Sequence, residues 1–223
     1  SMNQRRPKPD LPWLANCPNA LDFSVYPVQP HPGDYLLFLG RMSHEKGCHR
    51  AIAVATELGL PLKIAGKSRE PKEQEYFDEF VRPHLSERIE YLGEVNHGQK
   101  VELLQDARAT LFPIEWEEPF GLVMIESMAC GTPVIGARVG GIKSTVVDGK
   151  TGFLIGPKDH DALAHRLACL YRNPALARLF GQRGIRRVNQ GYTWQKVATS
   201  IAALYQGVAL GMPLRATAGH RLR

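Results

Sequence analysis

The sequence predicts an α/β domain built on a doubly wound parallel sheet. From residue 35 onward, short apolar runs of four to six residues alternate with segments that have the apolar spacing of helices. The runs are nearly continuous in apolar residues, as strands buried on both faces are. Strands of this kind, joined by helices, form parallel sheets with right-handed crossovers and helices on both faces. We therefore expect a Rossmann-like sheet.

The predicted strands and helices follow one another in a regular order. The strand and helix pairs are YLLFLG with KGCHRAIAVATEL, PLKIAG with EQEYFDEFVRPHL, IEYLG with GQKVELLQDA, ATLFPI with FGLVMIESMAC, PVIGA with the short GGIKSTVV, and a last strand GFLI. Beyond residue 157 the pattern is helical only, over residues 159–173, 174–191 and 193–210. The Asn-Pro pair at 173–174 and Gly191 mark helix ends, because Pro and Gly interrupt helices.

The two ends of the chain differ from this alternating part. Residues 1–33 contain seven of the sixteen prolines, which predicts an extended lead-in. Residues 34–206 are the predicted Rossmann-like domain, and residues 207–223 are basic, lack periodicity and are predicted to be a flexible tail. The 43% apolar content is ample for a core in a chain of 223 residues.

The turn after the first strand has the composition of an anion site. It reads GRMSHEKG over residues 40–47, and doubly wound sheets bind ligands where such turns pass into helices. Gly40 lets the backbone approach a phosphate, while Arg41 and Lys46 supply positive charge. The turn is neither a P-loop nor a GxGxxG motif. On this stretch alone, Arg41 and Lys46 are equally well explained as ordinary surface cations.

The turns after the second and third strands give weaker signals. Gly66 is followed by Lys67 and a serine, which repeats the arrangement of strand, glycine and cation. Val95 lies in the turn after the third strand, whose backbone could border a flat aromatic ring. Asn96 is sufficiently explained as the N-cap of the next helix.

Two carboxylates stand eight residues apart in the stretch EWEEPFGLVMIES. Glu118 is expected at the turn and Glu126 about two turns inside the helix. If residues 118–126 were all helical, the two Cα atoms would be roughly 12 Å apart, too far for a pair of carboxylates acting on one bond. Glu118 could simply complement the helix dipole. Glu126, among apolar neighbours, requires a partner, whether a protein donor or the hydroxyls of a ligand.

The ordered set of motifs resembles a known family. Glu118 to Glu126 is similar to the E-x7-E motif of retaining, glycogen-synthase-like glycosyltransferases of family 4, which have the two-domain GT-B fold. The series YLLFLGRMSHEKG, IAGK, YLGEV, EEPFGLVMIESMACGTPVI, ARVGG and DGKTGFLI agrees with it in order and spacing. The resemblance covers about residues 17–206 and implies that the chain corresponds to the C-terminal domain, which binds the nucleotide-sugar donor.

The resemblance implies a role for each matching residue. Arg41 and Lys46 would grip the diphosphate and, with Glu118, form the catalytic set. The backbone of Phe120, Gly121 and Leu122 would help to hold the donor sugar and the diphosphate. Glu126 would accept hydrogen bonds from the ribose hydroxyls. The turns that contain Gly40, Gly66 and Val95 would complete the donor site, the last two beside the base.

No metal or other cofactor is implied, because fixed cations and backbone N–H groups can stabilise a departing diphosphate. Residues 159–161 fit the DxD pattern of glycosyltransferases of a different fold. They open an amphipathic helix, where acidic caps are favoured, so we interpret them as structural.

The predicted partners follow from the same resemblance. They are a nucleotide-sugar donor, an unidentified acceptor, and an N-terminal acceptor-binding domain, for which the lead-in is too short. We therefore expect little or no transfer by this chain alone. The alternatives are a non-catalytic nucleotide-binding or regulatory module, and an epimerase or phosphorylase on the same two-domain fold.

Charge and cysteine content bear on partners and location. The net charge of +6 favours an anionic partner and leaves nucleotides and nucleic acid equally open. No nucleic-acid reader motif accompanies the basic residues, so nucleic-acid binding is not predicted. The four cysteines lack the spacing of a zinc site, which favours a reducing, cytoplasmic location. No apolar run approaches the roughly 20 residues of a transmembrane segment.

Overall fold

The computed structural model describes residues 2–11, 13–28 and 33–210. Its sheet has six strands in the order β3-β2-β1-β4-β5-β6, and all neighbouring strands are parallel. The strands are β1 (Tyr35–Leu39), β2 (Leu62–Ala65), β3 (Ile89–Tyr91), β4 (Ala107–Phe112), β5 (Val134–Ala137) and β6 (Gly152–Ile155). This arrangement confirms the predicted fold class.

Helices cover both faces of the sheet. They are α1 (Cys48–Leu58), α2 (Pro71–Phe80), α3 (His97–Gln105), α4 (Leu122–Ala129), α5 (Ile142–Thr145), α6 (His160–Arg172), α7 (Pro174–Gly191) and α8 (Trp194–Ala209). Along β1, Leu36 and Phe38 pack in one core cluster, with α1, α2 and α6, whereas Leu37 and Leu39 pack in the other, with α3 and α4. No helix in the described part of the chain combines the length and apolar character needed to cross a membrane.

Local sequence explains where two helices differ from prediction. Helix α2 begins at Pro71, two residues before the predicted start, because Glu70 and Glu73 form a reciprocal capping box with backbone N–H groups. Helix α4 begins at Leu122 rather than Phe120, because Gly121 adopts a left-handed conformation with φ of 82°. Glu126 therefore lies about one turn inside α4, not two, and the 12 Å spacing expected for a continuous helix does not apply.

The lead-in contributes to the core of the domain. Ala20, Leu21 and Tyr26 are buried, and the Leu21 N–H donates to the Tyr192 carbonyl at 2.8 Å. The boundary at residue 33 stays a prediction, although the segment that precedes it is not separate from the domain in packing. Helix α8 ends at Ala209, within the helix predicted over residues 193–210 and past the predicted domain limit of 206. Residues 211–223 of the predicted tail lie outside the described residues.

The strand order locates the crevice in which such sheets bind ligands. β1 and β4 are adjacent, and the chain winds away from them in opposite directions, to β2 and β3 on one side and to β5 and β6 on the other. The loops at the carboxyl ends of β1 and β4 therefore diverge and leave a crevice between them. These loops contain residues 40–47 and 113–121, the stretches in which the sequence places its cations and Glu118.

Candidate functional site

The loops after β1 and β4 meet through an ion pair. Lys46 ends a short 3-10 helical turn, His44–Lys46, and its Nζ lies 2.7 Å from Oε2 of Glu118. The two side chains are only 13% and 14% exposed, so the pair is largely shielded from water. The structure thus brings together two of the three residues that the sequence assigns to catalysis.

Backbone contacts fix these two loops against each other. Gly47 has a φ of 74°, and a Cβ atom there would lie 2.3 Å from the carbonyl oxygen of Pro113. The Glu115 N–H donates to the Glu45 carbonyl at 2.9 Å, and the Glu115 side chain forms an ion pair with Arg50. Glycine at position 47 therefore permits the close approach on which the Lys46 contact depends.

Trp116 completes the surroundings of the ion pair. Its indole N–H donates to Oε2 of Glu118 at 3.1 Å, the same oxygen that Lys46 contacts. The Lys46 ammonium also lies 4.9 Å from the centre of the Trp116 ring, within the range of a cation–π interaction. Glu118 consequently has two donors, one charged and one neutral.

A pair of glycines supports the loop that carries Glu118. The Gly141 N–H donates to the Glu118 carbonyl at 2.6 Å, and the Gly140 N–H donates to the Glu117 carboxylate at 3.1 Å. Gly140 has a φ of 50°, and a Cβ atom on it would lie 2.3 Å from the Glu118 carbonyl oxygen. The Gly-Gly turn after β5 is thus part of the framework of the site.

Arg41 projects from the same loop as Lys46 but pairs with other carboxylates. Its guanidinium lies 3.5 Å from Glu45 and 4.0 Å from Glu73, and about half of its side chain is exposed. Burial opposes ionisation of Glu73, yet two backbone N–H donors and the charges of Lys67 and Arg41 hold the pKa of Glu73 below its usual value. Arg41 is therefore an accessible cation at the edge of the crevice.

The glycine turns after the first three strands lie side by side. A Cβ atom on Gly66 would lie 1.7 Å from the Gly40 carbonyl oxygen, so the two turns are in backbone contact. The Gly66 N–H donates to the Gly93 carbonyl at 2.8 Å. Val95, in the following loop, lines a cavity of about 340 Å³ together with Tyr35 and other residues. Neither Lys46 nor Glu118 lines that cavity.

The residues between the two carboxylates have distinct surroundings. Phe120 is buried, with its ring edge against Tyr192 at a centroid distance of 5.6 Å. Gly121 is the N-cap of α4, and Leu122 begins the helix with its side chain 45% exposed. The first N–H groups of any α-helix lack partners within the helix, so the start of α4 offers donors close to Glu118.

Glu126 is buried and has protein partners. Its Oε1 accepts from the Lys100 ammonium at 2.5 Å and from the Tyr26 hydroxyl at 3.1 Å. The expectation of a partner for this carboxylate is therefore met by the protein. Glu126 lies on the side of α4 that faces α3 and the lead-in, and no direct contact joins it to Lys46, Glu118 or Arg41 among the contacts of the described residues.

The acidic residues at 159–161 act as predicted. The Asp159 side chain accepts from the Ala162 N–H at 2.9 Å and caps helix α6. Residues 2–11, 13–28 and 33–210 contain no group of three or more His, Cys, Asp or Glu side chains that could hold a metal ion. The four cysteines are free thiols.

Sequence reasoning missed several partners of the predicted residues. Lys100 and Tyr26 are 26 and 100 residues away from Glu126, so no local spacing links them to it. Glu73 was interpreted only as part of a helix. Trp116 stands two residues before Glu118, and this closeness in sequence is the signal that could have identified its indole N–H as a donor to that carboxylate.

The chain is similar in sequence to a known protein family. Residues 27–187 match the family described as Glycosyl transferases group 1. Glycogen synthase of Mycobacterium tuberculosis is 32% identical over 213 residues, which cover 91% of this chain and 50% of that protein. This chain spans about half the length of the curated relatives that it matches.

Two solved structures have a similar fold. Sucrose-phosphate synthase from Thermosynechococcus elongatus has a TM-score of 0.77 and 29% identity, over 87% of this chain and 52% of that one. HepE from Anabaena, solved in complex with UDP and glucose, has a TM-score of 0.76 and 22% identity, over 84% of this chain and 55% of that one.

Proposed function

The chain belongs to the group 1 glycosyltransferase family, and we propose that it is the domain of such an enzyme that binds the nucleotide-sugar donor. The observation that carries this proposal is the contact between Lys46 and Glu118, from opposite loops, in the crevice between β1 and β4. Ligands of open α/β sheets bind at this switch point. At this point a negatively charged nucleotide sugar requires a cation for its diphosphate and a hydrogen-bond acceptor for its sugar hydroxyls.

The diphosphate would bind between the cations of the first loop. Arg41 is half-exposed and can turn toward a ligand, and Lys46 has three N–H donors of which Glu118 uses one. When the bond between the sugar and the diphosphate breaks, the electron pair leaves with the phosphate oxygen. Fixed cations and N–H donors at the start of α4 would stabilise that developing charge without a metal ion.

The two carboxylates would contact opposite ends of the donor. Glu118, held by Lys46 and Trp116, would accept from sugar hydroxyls beside the backbone of Phe120, Gly121 and Leu122. Glu126 would accept from the ribose hydroxyls, and the turns that contain Gly66 and Val95 would border the base. The residues that match the E-x7-E motif also support transfer with retention at the anomeric carbon.

The acceptor would be bound by a second domain. The chain spans about half the length of its curated relatives, and HepE, a structural neighbour, was solved with UDP and glucose. We expect this chain to bind the nucleotide sugar without appreciable transfer, because transfer requires an acceptor that a second domain holds against the crevice. Turnover with a candidate acceptor in the absence of any further domain would contradict this part of the proposal.

Donor binding is tested by calorimetric titration with UDP, GDP and ADP and with the corresponding nucleotide sugars. We expect one base to be preferred. Glu118→Gln should weaken binding of the nucleotide sugar by about tenfold, the loss expected for a hydrogen bond to a charged acceptor. The same variant should leave binding of the free nucleoside diphosphate unchanged or tighter, because Lys46 then has no competing carboxylate.

The runner-up function is a non-catalytic nucleotide-binding module. In this function the crevice between β1 and β4 would bind a nucleotide without any transfer step. A module that recognises only the nucleotide has no use for a carboxylate at the sugar end. Equal effects of Glu118→Gln on the nucleotide sugar and on the free nucleotide would therefore favour the module.

A further inference from the structure

We infer that Lys100 and Tyr26 are positioning residues that fix Glu126 for recognition of the ribose. This inference rests on the proposed function and extends it to two residues outside the E-x7-E stretch. Lys100 comes from α3, and Tyr26 comes from the lead-in, one residue before the part of the chain that matches the family. The segment before residue 27 would then belong to the donor site.

The protein contacts one oxygen of the Glu126 carboxylate and leaves the other for the ligand. Lys100 Nζ and Tyr26 Oη both donate to Oε1, at 2.5 Å and 3.1 Å. A carboxylate oxygen has two lone pairs, so these two donors fill Oε1. Oε2 is then the oxygen that can accept from a ribose hydroxyl. The two hydrogen bonds to Oε1 fix the direction in which Oε2 points.

Burial explains why the carboxylate requires both donors. The Glu126 side chain is 8% exposed and that of Lys100 is 26% exposed, so the pair lies mostly away from water. A charge that is shielded in this way is unfavourable unless it is paired and hydrogen-bonded. With one donor removed, the carboxylate would turn both oxygens toward the remaining donor and toward solvent, and its orientation for the ligand would be lost.

The segment that carries Tyr26 is itself held at two points. The Tyr26 ring packs edge-on against His97, with centroids 5.4 Å apart, and the Leu21 N–H donates to the Tyr192 carbonyl at 2.8 Å. Tyr26 is 5% exposed. Its hydroxyl is therefore a fixed donor, which a positioning role requires.

The test compares ribose recognition in matched variants by calorimetry. The probes are UDP, GDP and ADP with their 2′-deoxy and 3′-deoxy analogues, and the quantity compared is the ratio of the dissociation constants for analogue and parent. Wild-type protein should prefer the ribonucleotide by about tenfold, the value for one hydrogen bond to a charged acceptor. Glu126→Gln should remove most of this preference.

Tyr26→Phe and Lys100→Met should each lower the same ratio at least threefold, with Lys100→Arg retaining more of it than Lys100→Met. Tyr35→Phe is the matched control, because it removes another shielded tyrosine hydroxyl, one that donates to the Leu103 carbonyl of α3 at 2.9 Å. It should leave the ratio unchanged. A loss of folded protein weakens both nucleotides equally and does not alter the ratio, so Tyr26→Phe and Lys100→Arg decide the matter even if Lys100→Met folds poorly.

The outcomes separate this inference from the proposed function. If wild-type protein binds none of the nucleotides, both are wrong. If it binds nucleotides, and Glu126→Gln lowers the ratio while Tyr26→Phe and the Lys100 variants do not, the proposed function stands and the positioning role is refuted. The absence of any ribose preference in wild-type protein would also refute it.

Discussion

Replacement of Gly141 by alanine tests whether the turn after β5 supports the Glu118 loop. The φ of Gly141 is −72°, which any residue adopts, so alanine adds no backbone strain. Its Cβ atom would nevertheless lie 2.3 Å from the Pro119 carbonyl oxygen and 2.9 Å from Cα of Phe120. The loop must move by about 1 Å to restore ordinary contact distances.

That movement has two energetic costs. Overpacking of this kind costs typically about 1–3 kcal/mol. The hydrogen bond from the Gly141 N–H to the Glu118 carbonyl, 2.6 Å long, would be weakened or lost, at a further cost of about 0.5–1.5 kcal/mol. We therefore expect Gly141→Ala to lower the free energy of unfolding by about 2–4 kcal/mol and to weaken binding of the nucleotide sugar more than that of the nucleotide.

Urea denaturation followed by tryptophan fluorescence measures the first effect, and two glycines serve as controls. Gly93→Ala has open space around the new Cβ but a φ of 71°, so it should cost about 1–2 kcal/mol from backbone strain alone. Gly98→Ala, with its nearest contact at 3.5 Å, should be neutral or stabilising by up to about 1 kcal/mol. A Gly141→Ala protein as stable as Gly98→Ala would refute the proposed packing.

Two further predictions concern charged groups. In a double-mutant cycle with Lys46→Met and Glu118→Gln, the coupling free energy should be about 1–3 kcal/mol, because the pair is shielded but not fully buried; a value near zero in urea titrations would contradict the contact. Burial, with the charges of Arg50 and His44, lowers the pKa of His49 to about 4. The unfolded chain, with a pKa of about 6.5, then binds more protons between these values, so stability from His49 is complete above about pH 6.5 and is lost as the pH falls toward 4. Relative to His49→Gln, wild-type protein should lose about 1–2 kcal/mol between pH 7 and pH 4.5 in urea denaturation, a figure reduced for the incomplete burial of the ring; parallel pH profiles would refute the assignment.

The fold was predictable because its signal is local and repeated. Nearly continuous apolar strands followed by helical spacing occur along most of the chain, and each turn at the carboxyl end of a strand contains a glycine. The start of α4 was misplaced for an equally local reason. Phe120 fits the apolar pattern of the helix, but the left-handed conformation of Gly121 prevents the helix from including it.

The candidate site was predictable where its residues lie on the turns. Strand order brings the turns after β1 and β4 together, so Lys46 and Glu118 could be expected as neighbours once the sheet was assigned. Their further partners follow from tertiary packing. Lys100 reaches Glu126 because α3 and α4 pack on the same face, and Tyr26 reaches it because the lead-in returns across that face. Neither contact could be predicted from the spacing of residues along the chain.

The paired state of the cations bears on how a diphosphate would bind. Lys46 is matched with Glu118, and Arg41 lies between Glu45 and Glu73, so the crevice does not present two free charges. On the proposed function, the diphosphate has to share each cation with a carboxylate.

Glu118 is equipped for that exchange, because its Oε2 also accepts from Trp116 and keeps a donor when Lys46 turns to a phosphate oxygen. Loss of this donor in Trp116→Phe should weaken binding of the nucleoside diphosphate itself, since Glu118 would then compete more strongly for Lys46. Calorimetric titration of that variant with the preferred nucleoside diphosphate would show the effect, and unchanged affinity would mean that Lys46 does not exchange partners.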